Sequence, residues 1–496
     1  MTPRDSARAL SRAPWKHPDS RITFKTGYPS QDAEAELVDE LLYQRAVQSF
    51  LWALPILNMW AMKEGSESTF GSGYNVLPIW KQRLRARTLV TTPNSDVIYA
   101  MGYLDLRQDG PIVIEAPPGL QGILDDFFQR PLRSESEIDG QRWSGDVGLA
   151  GPDQGRGGKY LVLPPDYEGT VPAGYLTFRS RTYGVFVFWR GFFTDPKQLH
   201  EPVRVMEQTR IYPLGKEASA KPMQFPDGSS VSVDMLPPTD DSAFDMLKRI
   251  IDAEYVDPAD MDMRGMIAGI GIIKGQPFKP DAHARAILNA AAHRGYEMAH
   301  YLAVEGTAKM PGGKYYEDRQ YVNGFPAGIT PEFAAPASAP TYTNISTRSG
   351  FFIVAYSASP AMAIDMPGSG AKYPTTFKDS RGEWLAGDRS YRMHLPADIP
   401  VKLFWSVTVY DAETASGLDN GQLFPSINAM DKPTPNADGS LDIYFGPKPP
   451  KDGAAWLATV PKRGFFVILR LYGPTKAFFD QTWKPGDIER LDQPWI

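Results

Sequence analysis

Three side chains able to do proton chemistry stand close together in Thr92-Pro93-Asn94-Ser95-Asp96-Val97-Ile98-Tyr99: an amide, a carboxylate and a phenol. A carboxylate beside a phenol can supply an acid or a base. Asn94, Asp96 and Tyr99 are therefore the candidate catalytic set, lining a cleft. The plainer alternative is a turn lock, because Pro93 fixes the approach of the chain and Asn or Asp in such turns bonds its own backbone.

Two arginines raise a second question. Arg470 lies in Phe465 to Tyr472, where strand alternation puts it on one face with Phe466 and Ile468, and Arg190 ends the apolar run Val185-Phe186-Val187-Phe188-Trp189. A guanidinium in such surroundings snorkels to water, pairs with a carboxylate or holds an anionic ligand, since an unpaired buried charge is costly. With Trp405 and Tyr472 these arginines are the candidate substrate-binding residues. A salt bridge anchoring two domains is the competing reading.

A divalent metal is the third possibility. His293, Glu297 and His300 are spaced by four and three, which places them on one face of a helix from Asp281 to Glu305, and imidazole with carboxylate suits such an ion. The run is not the two-histidine zinc protease signature, and polar residues on a helical face are usually just solvated. Gly269-Ile270-Gly271 with Gly275 misses the dinucleotide spacing, so no nucleotide cofactor is expected. Ser369-Gly370-Ala371-Lys372 lies in a Gly-rich loop, where an acyl-transfer serine would have to open a helix. The acid pairs Asp125-Asp126, Asp240-Asp241 and Asp260/Asp262 could bind a cation, but surface carboxylates of this sort are usually helix starts or solvated turns.

Composition narrows the classes. Net charge is -6 with basic residues scattered along the chain, so the concentrated basic stripe that a nucleic acid needs is absent. There are no cysteines, which excludes disulfides, thiolate nucleophiles and Cys-based zinc sites. The longest apolar stretch, Phe50 to Met62, is interrupted by Pro55 and Asn58 and falls short of the ~20 residues of a membrane span. As it stands the chain reads as soluble and cytoplasmic, or as periplasmic or secreted if an export signal has been removed.

The elements that must position these residues follow from periodicity. Residues 1-29 form a polar extended arm. Residues 30-195 hold an N-terminal helix, capped by Ser30 and kinked at Pro55, with Val38, Leu42, Ala46, Phe50, Ala53, Leu57 and Trp60 on one face, and then an antiparallel β domain. Residues 196-335 are a helical bridge and linker, with a stripe of Phe244, Leu247, Ile250 and Ile251. Residues 336-496 return to strands, including Phe351 to Tyr356, Tyr391 to Leu395, Val401 to Tyr410, Leu441 to Phe445 and Phe465 to Tyr472. The 44 glycines and 45 prolines among 496 residues exceed their usual combined share of ~12% and favour short strands joined by tight turns. The fold class is therefore mainly β with helical insertions (α+β): two antiparallel β-sandwich or jelly-roll-like domains plus a helical segment.

Two sets of motifs carry a resemblance. Thr92 to Tyr99 with Leu104-Asp105-Leu106 and Gly110-Pro111-Ile112-Val113, and later Phe404-Trp405-Ser406-Val407-Thr408-Val409-Tyr410-Asp411, Asp438-Gly439-Ser440-Leu441, Arg470-Leu471-Tyr472-Gly473-Pro474 and Trp483-Lys484-Pro485, make the chain resemble a bacterial two-domain family, domain of unknown function 1254 followed by domain of unknown function 1214. The resemblance covers roughly residues 35 to 496 and implies two β domains with helical insertions, without an assigned reaction. Gly119 to Asp126 departs from it, standing where an aromatic-rich segment is expected.

Two functions follow as expectations. One is an enzyme, a hydrolase or lyase acting on a small or oligomeric polar substrate in a cleft between the β domains. The other is a non-catalytic protein that binds carbohydrate or another envelope component. The expected partner is a small-molecule or saccharide ligand, with neither nucleic acid nor membrane span, and homo-oligomerisation is left open.

Overall fold

A computed structural model of the chain describes residues 27–450 and 453–492. The arm expected for residues 1-29 lies almost wholly outside the described residues. Two compact units form. One gathers the residues up to Ala53 with Pro238–Met298, and the other runs from Leu54 to Pro237 and again from Ala299 on.

The first unit is helical. Helix Gln31–Phe70, of which the residues up to Ala53 belong to this unit, begins at Ser30, whose hydroxyl accepts from the Ala33 amide at 3.3 Å, and continues through Pro55 instead of breaking there. Val38 on the anticipated stripe is 61% exposed, whereas from Ala46 to Met62 nearly every position is buried. A helix covered on all sides carries no single apolar face to read. Within this unit Phe244, Leu247, Ile250 and Ile251 of Ser242–Ala253 are buried as a stripe. Arg285 of Ala282–Tyr301 grips Asp245 with both terminal nitrogens, at 2.8 and 2.7 Å.

In the second unit, the first β region pairs two sheets. One runs Ile79–Trp80, Ile98–Asp105, Gly184–Gly191, Gln121–Asp126, Asp146–Gly148, all antiparallel. The other runs Arg210–Pro213, Ile112–Ala116, Gly158–Leu163, Leu176–Arg179, Arg133–Ser134, with one parallel pair. Ile98, Ala100, Val185, Val187 and Trp189 pack with Ile112, Ile114, Tyr160 and Val162 in the core between them. Gly122 lies against the Trp189 indole, where an added Cβ would come within 2.2 Å of the ring. The motif that departs from the family pattern is thus the strand that a large tryptophan covers.

The second β region repeats the scheme. Ala371–Lys372 and Thr375–Thr376 flank Phe465–Tyr472, followed by Trp405–Asp411 and Ser426–Asn428. A four-stranded sheet, Trp456–Ala458, Leu441–Gly446, Tyr391–Leu395, Ile488–Arg490, covers it. Phe465, Val467, Leu469 and Leu471 enter the shared core with Trp405, Val407 and Val409. The sheets are mostly antiparallel and the class is α+β, with no closed barrel among the described residues. One expected strand does not form: of Phe351 to Tyr356, Phe351 and Phe352 end the helix Ile345–Phe352 and the rest is turn and loop, the helix being capped by Asn344, whose side chain accepts from the Thr347 amide. Its apolar residues are consecutive rather than alternating, so the cap is the stronger signal. No helix among the described residues is long and apolar enough to cross a membrane.

A candidate ligand cavity lined by two arginines

Each β region buries one sheet face in its own core and turns the other toward a common cavity of ≈ 120 Å³. The strand period of two sorts the residues. On Phe465–Tyr472 the core takes the odd positions, and Phe466, Ile468, Arg470 and Tyr472 line the cavity. On Gly184–Gly191 the core takes Val185, Val187 and Trp189, while Phe188 and Arg190 line the cavity. Tyr99 is the residue paired with Arg190 across the antiparallel ladder, which sets phenol and guanidinium side by side on one face.

Arg190 is half-buried and underpaired. Its one hydrogen bond among the described residues runs from Nη2 to the Met362 sulfur at 3.3 Å, its Nε is buried without a partner, and its guanidinium sits 5.0 Å from the Phe188 ring. Neutral phenols surround it, Tyr99, Tyr356, Tyr373 and Tyr472, and the buried Asp146 carboxyl is near enough to feel its charge without forming an ion pair. Burial pushes the Tyr99 phenol up to about 12, against the pull of Arg190 and Arg470. Its hydroxyl has no hydrogen-bond partner among the described residues.

Arg470 is 4% exposed and fully occupied, yet only by neutral groups. Nη1 donates to the Tyr410 hydroxyl at 2.5 Å and to Thr408 Oγ1 at 3.2 Å, and Nη2 donates to the Thr92 carbonyl at 3.1 Å. Asn94 donates to the Tyr472 hydroxyl and accepts from the Asp96 amide at 2.8 Å, so the Thr92–Asp96 turn is pinned to the second β region. Neither Arg190 nor Arg470 has a carboxylate within 4.0 Å among the described residues.

Of the residues singled out from the sequence, Asn94, Tyr99, Arg190, Arg470 and Tyr472 meet in this cavity. Asp96 and Trp405 do not line it. Asp96 is wholly buried and saturated: Arg83 at 3.0 Å, Asn428 at 2.6 Å and Ser426 at 2.8 Å all donate to its carboxylate. Trp405 faces the core of the second β region. The metal grouping is not assembled either. Glu297 is exposed and paired with Arg294 at 3.0 Å, His293 is exposed, and His300 directs Nε2 to the Ala412 carbonyl at 2.6 Å. A helical face gathers ligands only if all three side chains reach inward, and among the described residues no set of three or more acids and histidines could hold a metal ion.

Sequence reasoning missed the segment that closes the cavity. Ala355, Tyr356 and Met362 line it from a loop held by two buried acids on the first β region. Asp125 Oδ2 accepts from the Ser357 hydroxyl at 2.7 Å and the Ala358 amide at 3.3 Å, and Asp146 Oδ2 accepts from the Ala361 amide at 2.9 Å. Burial raises both carboxyls, Asp146 to about 7 and Asp125 well above the usual range. In each the second oxygen is buried without a partner. An Asp in the sequence carries no mark of this, because its partners, a serine hydroxyl and backbone amides, lie more than two hundred residues away.

Known proteins resemble this chain as follows. Residues 74–213 match the family described as "Protein of unknown function (DUF1254)" and residues 370–476 the one described as "Protein of unknown function (DUF1214)". No curated protein matches. The crystal structure of the VPA0106 protein from Vibrio parahaemolyticus aligns with 91% of this chain and 100% of its own, at 18% identity and a TM-score of 0.51, a likeness of fold. A putative uncharacterized protein from Burkholderia cenocepacia covers 92% and 97% at 12% identity, with a TM-score of 0.37. The chain thus carries a domain of unknown function 1254 at residues 74–213 followed by a domain of unknown function 1214 at residues 370–476, in the order in which its two sets of motifs stand.

Proposed function

We propose that the protein takes a compact organic anion, a carboxylate on an apolar or aromatic body, into the cavity, and acts on it as a lyase-type enzyme. The observation that carries this reading is the pair of guanidinium groups facing one largely apolar space without a carboxylate partner. A buried cation left in that state is costly, and an anionic ligand offsets the cost. Convergent polar groups in an apolar hollow are the usual form of a small-molecule site. The volume suits one ring or a short chain, since a cavity of ~150 Å³ accommodates benzene.

The residues present have distinct roles on this reading. Arg190, with open N–H groups, binds the carboxylate. Tyr99 beside it keeps its proton far above neutrality, so it serves as a hydrogen-bond donor and proton donor, not as a base. Among the cavity-lining residues there is no Asp, Glu, His or Ser to activate water or remove a proton, which favours a cleavage that needs only a donor: the bound carboxylate leaves as CO2 and the carbon takes the Tyr99 proton. A purely non-catalytic binding role is the second reading, favoured by the same lack of a base.

Calorimetric titration with hexanoate and benzoate, against the neutral hexanamide and benzamide, tests the anion. Binding of the acids alone, lost at least a hundredfold in Arg190→Met, is expected; equal binding of acids and amides would remove the reading. Appearance of a product in which a deuteron from heavy water has replaced the carboxylate lost as CO2, followed by NMR and dependent on Tyr99, separates enzyme from carrier.

A further inference from the structure

Beside the cavity lies a second recess of ≈ 280 Å³ whose lining is charged, with Lys309, Lys314 and Lys378 against Glu305 and Glu317. The two spaces share a wall. Val322 and Phe377 line both. The rest of the partition is a single π turn, Leu302–Gly306, and the residues that follow it: Ala303 and Thr307 face the cavity, while Val304, Glu305 and Ala308 face the recess. π turns are rare inside helices and concentrate at functional places. This one is held by the Leu302 carbonyl, which accepts from both the amide and the hydroxyl of Thr307. Helix Ile345–Phe352 presses on it so closely at Gly350 that an added Cβ would lie 2.8 Å from the Leu302 carbonyl carbon.

Charge distinguishes the recess from an ordinary surface dent. Glu305 is shared between Lys378 at 2.5 Å and Lys309 at 3.3 Å. Lys314 has no ion pair among the described residues, and its backbone is bridged to Val322, the wall residue itself. Three cations stand outside the wall against two carboxylates, and two more cations, Arg190 and Arg470, stand inside. A path lined in this way becomes more favourable to a negative charge as it goes inward, and a net positive lining steers an anion toward it.

We infer that the lysine-lined recess is the entrance to the cavity, where Lys314 and Lys309 capture the anionic head of the ligand before it passes the Val322 and Phe377 side chains. The inference rests on the anionic-ligand reading given above. It assigns the lysines to capture and selection and leaves retention to Arg190.

The lack of cysteine allows a test that needs no natural ligand. Ala303→Cys puts one thiol in the cavity wall, and its labelling is timed with two small methanethiosulfonates, one bearing a sulfonate and one a trimethylammonium group. The anionic reagent is expected to react about tenfold faster at low salt, with the preference falling as salt is raised. In the same background, Lys309→Glu with Lys314→Glu is expected to abolish that preference. If it persists in the double variant but disappears with Arg190→Met, the cavity favours anions and the entrance is elsewhere, which overturns this inference alone. No preference in Ala303→Cys itself overturns the anionic reading as well. Val304→Trp, which fills the recess side of the wall, is a second variant; it should slow both reagents about tenfold, and unchanged rates would refute the entrance. Near-ultraviolet circular dichroism checks that each variant is folded.

Discussion

Tyr99 and Arg190 are directly opposite one another in the antiparallel pair Ile98–Asp105 and Gly184–Gly191, and neither is engaged by a carboxylate. A phenol without a hydrogen bond and a guanidinium resting on a thioether are an expensive pair to bury. Their cost is the reason to regard the cavity as a site.

The cost of Arg190 should be measurable. Replacing a poorly paired cation in an apolar site with an apolar side chain of similar length relieves its desolvation cost. Arg190→Met is therefore expected to raise the melting temperature by a few degrees while abolishing carboxylate binding. A variant that melts lower than the parent would show that the guanidinium is better satisfied than its contacts indicate.

Tyr99→Phe probes the neighbouring hydroxyl. That group bonds to no described residue, so removing it should raise the unfolding free energy by about 1 kcal/mol. Carboxylate affinity should fall about tenfold, the worth of one hydrogen bond to a charged acceptor. Calorimetry on the two proteins decides it.

Asp96 gives the opposite pattern. Asp96→Asn removes the charge that Arg83 faces at 3.0 Å and replaces an acceptor with a donor among Asn428 and Ser426. A loss of about 3 kcal/mol in denaturant unfolding is expected, with carboxylate affinity of the folded protein within twofold of the parent. A large loss of affinity at full stability would return Asp96 to the site.

Asp146 supplies a pH dependence. Burial lifts its carboxyl to about 7, against ~3.9 in an unfolded chain. Below ~4 both states hold the proton. Between ~4 and 7 only the native state does, so stability is lost as pH rises through that window, on the order of 4 kcal/mol in all. Asp125 shifts in the same direction. Asp146→Asn can still accept the Ala361 amide without having a charge to bury, and should flatten the unfolding free energy measured from pH 5 to 8. An unchanged slope would exclude Asp146 as its source.

Strand period made much of this site legible. The alternation of Phe466, Ile468 and Arg470 identified the cavity face of its strand, and the apolar run before Arg190 identified its partner. Alternation does not say which face meets which, so Trp405 looked like a binding residue though it fills a core. The turn around Asp96 showed its carboxylate but not Arg83, Ser426 and Asn428, whose contacts depend on tertiary approach. Gln121–Asp126 was hidden for another reason: a strand buried throughout and carrying two acids has neither period two nor apolar character. Tyr356 and Tyr373 stand outside regular strands, where no period applies.

The wall at Leu302–Gly306 is specified by a count. Its wider turn accommodates one residue more than ordinary helical winding, and each helical residue turns the chain by about 100°. Deleting a single residue there would let regular winding resume and swing Thr307 away from the Leu302 carbonyl, whatever side chains were kept. Scanning by substitution, which preserves length, would pass over this dependence; insertions and deletions expose it.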